Sequence, residues 1–69
     1  MSNFYERLIT ICTNKDITIK DATYRLGLKS RTHLYRMFKG NPKWSSFQTV
    51  RDVLKLTRVD MIFWLFGDE

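Results

Sequence analysis

The sequence predicts a compact all-α domain of five short helices, and three observations carry that prediction. Apolar residues recur three and four positions apart rather than two, which is the period of a helix face and not of a strand. Thr18, Ser30, Ser45 and Thr57 each stand just ahead of such a periodic stretch, where an N-cap belongs. Turn formers divide the stretches: Asn14-Lys15-Asp16, Gly27, Gly40-Asn41-Pro42 and Gly67. There is no repeat, low-complexity tract or linker, so residues 1–69 form one domain. A chain this short buries only about 60% of the surface that its unfolded form exposes. At 43% hydrophobic and 14% aromatic it has the residues to build a core.

Each element follows from its residues. The first helix is expected over 3–14, with Phe4, Leu8, Ile11 and Cys12 on one face and Tyr5 at its edge. Thr18 with Asp21 three residues on is a capping-box variant. It opens a second helix that runs to about Leu26 and turns Ala22 and Leu26 inward. Gly27 follows at the position where a left-handed residue ends a helix. Ser30 is the N-cap of a third helix, Arg31 to Lys39, whose apolar face is Leu34, Met37 and Phe38. Ser45 with Gln48 makes another capping box for a fourth helix, Ser46 to about Leu56, with Phe47, Val50, Val53 and Leu54 inward. Thr57 with Asp60 caps the fifth, Val59 to Phe66.

The charge is uneven. The formal charge of +5 lies entirely within residues 1–40, and residues 41–69 are balanced. Between Ala22 and Arg51 stand Arg25, Lys29, Arg31, Arg36, Lys39, Lys43 and Arg51, with no Asp or Glu among them. A field of one sign over nearly half of a small domain costs self-repulsion, so it points to a polyanionic partner. The basic first part and the neutral, apolar end predict two jobs, one half meeting an anion and the other packing or pairing.

Other classes are excluded by what the chain lacks. Cys12 is alone, so no internal disulfide forms, which fits a reducing, cytoplasmic setting. The start, Met-Ser-Asn-Phe-Tyr-Glu-Arg, has no apolar signal core. The longest apolar run, Met61 to Phe66, is far too short to span a membrane. There is no nucleophile–base pair and no Gly-rich phosphate loop, and the few acids lie at helix caps or in the tail, so no enzyme is expected. His33 has no Cys or second His at ligand spacing, so no metal or other cofactor is expected. Cys12, on an apolar helix face, reads as core filler.

The second and third helices carry the function. A capped helix reaches Leu26, Gly27 and Leu28 follow, and a short polar turn leads into a helix with two faces. Leu34, Met37 and Phe38 face inward, while Arg31, Thr32, Tyr35, Arg36 and Lys39 face outward with His33 at the boundary. This is the layout of a helix-turn-helix, whose second helix lies in the major groove of DNA. Arg can fork to guanine O6 and N7, and Thr can bond a base or touch a thymine methyl. Lys and Arg at the helix ends reach phosphates.

On these residues the chain resembles the lambda-repressor-like helix-turn-helix family of phage repressors, Cro proteins and small bacterial regulators. The resemblance covers about residues 4–66. It rests on Ile17-Thr18, Leu26-Gly27-Leu28 and Leu34-x-x-Met37-Phe38-x-Gly40, then Pro42, Phe47, Val50, Val53-Leu54 and Leu56, Val59, Met61-Ile62 in order. The chain departs from the family at Ile19, where Gln is usual, and at Thr23, where Ala is usual. The stretch from Gly27 to Leu34 is one residue longer than is common.

The resemblance implies a phage or prophage transcriptional regulator of Cro-like size. It would bind an operator in double-stranded DNA as a homodimer, without a small-molecule ligand, on the nucleoid of a bacterial host. By position, Ser30, Arg31, Thr32, Tyr35 and Arg36 are the base-reading candidates. Thr18, Ile19, Lys29, Lys39, Asn41 and Lys43 are the phosphate-binding candidates. Trp44 either packs on its loop or lies against sugar-phosphate.

The apolar run Met61 to Phe66 has no polar face. With Met61, Ile62 and Leu65 in the core, Phe63, Trp64 and Phe66 face water and form a dimer contact. The alternative is that these aromatics wrap back onto the first helix near Phe4 and Tyr5. A reading from another class also stands, an anti-repressor or other protein-binding module that grips another phage regulator. An architectural DNA binder without sequence choice is a third.

Overall fold

Five helices follow one another in the computed structural model, which describes residues 3–67: α1 (Phe4–Asn14), α2 (Ile19–Arg25), α3 (Arg31–Phe38), α4 (Trp44–Leu54) and α5 (Arg58–Phe66). Met1 and Ser2 of the start without an apolar signal core, and the acidic tail Asp68-Glu69, lie outside the described residues. The all-α expectation holds, with no strand among the described residues. The Cα radius of gyration, 10.9 Å, is that of a folded chain of this length.

The caps show why the helices start where they do. Asn3 and Glu6 close a reciprocal box at the head of α1, and Thr57 and Asp60 do the same at α5. Thr18 accepts the Asp21 N–H at 3.0 Å, and Ser30 accepts the His33 N–H at 3.3 Å. The box expected at Ser45 and Gln48 does not form. Helix α4 begins two residues earlier, with Lys43 as an N-cap that makes no side-chain bond. The early start stacks Trp44 one turn from Phe47, their ring centroids 6.0 Å apart, a packing gain that the Ser45 cap would forgo.

Three helix ends use one device. A residue at positive φ reverses the chain, and the next, apolar residue returns its N–H to a carbonyl five positions back. Asp16 (φ 59) precedes Ile17, which bonds Cys12 O at 2.8 Å. Gly27 (φ 71) precedes Leu28, which bonds Thr23 O at 3.1 Å. Lys55 (φ 56) precedes Leu56, which bonds Arg51 O at 3.0 Å. These are Schellman closures, in which the apolar follower anchors the turn on the core.

The core draws on every helix: Tyr5, Leu8, Ile11 and Cys12 of α1, Ala22 of α2, Leu34 and Phe38 of α3, Phe47, Val50 and Leu54 of α4, and Met61 and Trp64 of α5. Its centre is aromatic, with Trp64 packed 5.1 Å from Phe38 and 4.7 Å from Phe47, centroid to centroid. Trp64 Nε1–H donates to the Phe4 carbonyl at 2.9 Å, and Arg7 donates to the Trp64 carbonyl at 3.1 Å. These two bonds join the start of α1 to the end of α5. Thr23, buried in the position where the family pattern has Ala, satisfies its hydroxyl on Ile19 O at 2.7 Å.

Two inward assignments are corrected. Ile62, expected in the core, is half exposed, and Val53 is also exposed. In α5 the inward pair is Met61 and Trp64, three apart, and this rotates Ile62 to the outside.

Candidate nucleic-acid interface

Helix α3 is built to show a cationic face. Its inner residues, Leu34 and Phe38, are fully buried four apart, and this orients the helix. Thr32 and Arg36, also four apart, then lie on the outward side, and both are exposed. No acidic residue stands in the first turn of α3, and Arg36 stands in its last.

The fold sorts the basic residues of the acid-free window into two sets. Arg25 pairs with Asp21 at 2.8 Å one turn back, and Arg51 pairs with Asp52 at 3.1 Å. Both carboxylates lie just outside the window. Lys29, Arg31, Arg36, Lys39 and Lys43 are all exposed and make no ion pair with a described residue. These five lie on α3 and on the segments that enter and leave it. Within the window, the unpaired charge therefore lies on one helix and its flanks, while Lys20, Lys55 and Arg58 are exposed elsewhere without an ion pair to a described residue.

The candidate contacts fall as follows. Ser30, Arg31, Thr32, Tyr35 and Arg36 are all exposed on α3 or at its cap, although the Ser30 oxygen is engaged in capping. Lys29, Lys39, Asn41 and Lys43 are exposed on either side. Tyr35 stands edge to face with Tyr5 of α1, centroids 5.2 Å apart at 89°, and Lys39 Nζ lies 5.9 Å from the Tyr35 ring centre. Arg31 Nε–H donates to the Tyr5 hydroxyl at 3.4 Å. Tyr5 is a residue of this face that sequence reasoning missed. It lies 26 positions before Arg31, and no local pattern links the two.

The start of α2 is less suited to a phosphate. Thr18 Oγ1 is engaged by the Asp21 N–H, Asp21 adds a carboxylate to the first turn, and Ile19 is half-buried against the core. Trp44 resolves toward packing on Phe47 while remaining half exposed.

The expected pairing face of α5 needs correction. Trp64 has no exposed surface at all and cannot meet a partner, because its ring fills the core and its N–H is satisfied by Phe4. For Trp64 the wrap-back alternative is what the fold adopts. Phe66 is 72% exposed and Phe63 partly so. The outward line is instead Val59, Ile62 and Phe66, spaced as one helix stripe. Beside it, α1 and α5 form an open groove of about 480 Å³ lined by Thr10, Ile11, Asn14, Val59, Ile62 and Phe63. Asp60 at its edge bonds Lys15 Nζ at 2.9 Å. Burial pushes the Asp60 carboxyl up, but Lys15 and the Thr57 N–H and hydroxyl outweigh it and hold the group below the usual carboxylate value.

Among the described residues, no cluster of His, Cys, Asp and Glu could hold a metal ion. Burial pushes the Cys12 thiol up, against weaker pulls from Arg25 and Lys15, so it stays protonated in the core. No helix among the described residues is long and apolar enough to cross a membrane. No protein-family model, no curated protein and no solved structure matches the chain.

Proposed function

We propose that this domain is a sequence-specific DNA-binding regulator of the lambda-repressor-like helix-turn-helix kind, Cro-like in size, with α3 as the helix that enters the major groove. One observation carries the reading: of the seven cations in the acid-free window, the five left without a carboxylate, Lys29, Arg31, Arg36, Lys39 and Lys43, gather on α3 and its flanks. In this reading Thr32 and Arg36 address base edges from the outermost line of α3, with Arg31 and Tyr35 beside them. Lys29, Lys39, Asn41 and Lys43 hold backbone phosphates on either side.

The protein works as a homodimer in this reading, through Val59, Ile62, Phe63 and Phe66 of α5. Pairing of two such domains reads two half-sites about one helical turn apart. Sedimentation checks the association, and Phe66→Asp is expected to leave a folded monomer.

Gel shift against salt tests the main reading. With roughly three to five phosphates neutralised, affinity falls about a hundredfold between 50 and 200 mM salt. No binding at low salt overturns it, and equal affinity for selected and random DNA points to an architectural binder. One observation favours the protein-binding alternative. The start of α2 is occupied by its own cap and by Asp21 rather than left for a phosphate. Capture of a purified helix-turn-helix regulator by a chain that ignores DNA supports that alternative.

A further inference from the structure

The contact between α1 and α3 is more than packing. Tyr5 belongs to the core by its ring, with 9% of the residue exposed, yet its hydroxyl reaches the outer side of α3 and accepts the Nε–H of Arg31 at 3.4 Å. Its ring also stands perpendicular to Tyr35, and Lys39 lies over the Tyr35 ring. Three members of the cationic face of α3 are thus fastened, directly or in sequence, to one buried residue of another helix.

A guanidinium offers two pairs of parallel donors, the side pair of Nε and one Nη, and the end pair of Nη1 and Nη2. Tyr5 occupies Nε. Only the end pair is left to meet a pair of acceptors such as O6 and N7 of a guanine. The bond also restricts the arginine before binding, so it loses less freedom when it binds.

We propose that Tyr5 is a positioning residue for the recognition face, holding Arg31 so that its end-on Nη1/Nη2 pair points outward. This inference rests on the DNA-binding reading. Tyr5 touches no DNA in it and acts through Arg31 and Tyr35. It adds a specificity-determining position in α1, outside the two helices of the helix-turn-helix.

Tyr5→Phe isolates the effect, because the ring and its packing remain and only the acceptor oxygen is lost. A DNA site is first selected from a random pool with the unaltered protein. Tyr5→Phe then lowers affinity for that site roughly three- to tenfold, while affinity for random DNA and the salt slope stay the same. In an Arg31→Lys background, where no Nε–H exists, Tyr5→Phe has no further effect on the ratio. In the free protein the Arg31 Nε–H exchanges faster with water once the hydroxyl is gone. An unchanged ratio of selected to random DNA, or an equal loss in both backgrounds, overturns the positioning role alone. Failure of the unaltered protein to bind any DNA at low salt overturns the functional reading, and this inference with it.

Discussion

Helices α3 and α5 are close in length and lean on the same cluster of Phe38, Phe47 and Trp64. Their outer faces have nothing in common. Helix α3 shows Arg31, Thr32, Tyr35 and Arg36 and has no acid in its first turn. Helix α5 shows Val59, Ile62 and Phe66, and Asp60 closes its first turn. One helix leaves its charge uncompensated, while the acid of the other, Asp60, is paired to Lys15. A shared core can therefore carry two surfaces that need different partners, provided that each inner face alone fixes the rotation of its helix.

The strongest way to break this arrangement is through Trp64. Trp64→Ala removes the ring that both inner faces share and is expected to cost about 3–5 kcal/mol. The whole stability of a domain of this size is on the order of 3–10 kcal/mol, so the variant is largely unfolded and both faces are lost together. Phe66→Ala, two residues on but 72% exposed, changes the unfolding free energy of the monomer by less than about 0.5 kcal/mol. Urea unfolding of the pair separates the two roles of the same apolar segment.

That contrast also marks what could be read from the chain. The caps at Thr18, Ser30 and Thr57 were legible because cap chemistry is local. The apolar faces of α1 and α3 were legible because polar residues mark their outsides. The rotation of α5 was not, since a segment without a polar face gives no orientation from periodicity. It was decided by the size of Trp64 and by a carbonyl acceptor at Phe4, 60 residues away. The concentration of charge on α3 depended on which carboxylates fold against Arg25 and Arg51, and the role of Tyr5 depended on how α1 meets α3. Both are facts of tertiary packing.

On the cationic side, Arg36→Ala is expected to cost about 1–3 kcal/mol of affinity for a selected site, and Arg31→Ala the same if both read bases. Arg51→Ala, whose guanidinium already faces Asp52, costs less than about 0.5 kcal/mol. Fluorescence anisotropy on one labelled duplex ranks all three. Unchanged affinity in both α3 variants removes that helix from the groove.

Asp60 tests how α5 is closed. Its carboxyl is held below the ordinary value of 3.8, so the folded state prefers it charged. The stabilisation is fully present above the unfolded pKa and is lost as pH falls through the folded one. Asp60→Asn is therefore expected to cost about 1 kcal/mol at pH 7. The gap to the unaltered protein should close in acid, as pH falls through the folded-state pKa, which lies below 3.8. Thermal unfolding at pH 7 and in acid checks this, and a gap that persists in acid assigns the loss to packing.

The smallest effect concerns how the chain enters the two helices. Gly27 and Leu28 lead into α3, and Lys55 and Leu56 lead into α5, by the same reversal. At Gly27 the left-handed turn is nearly free of strain, whereas Lys55 at φ 56 carries a Cβ in a region that costs roughly 1–2 kcal/mol. Replacing Lys55 by Gly removes that strain but gives the unfolded chain more freedom, so the net gain is roughly 0.5–1 kcal/mol. Gly27→Ala should lose about as much, from the backbone alone, since a Cβ there meets no atom within 4 Å. Urea midpoints that move in opposite directions for Lys55→Gly and Gly27→Ala establish that the two turns are equivalent in form and differ only in what the sequence placed at the reversal.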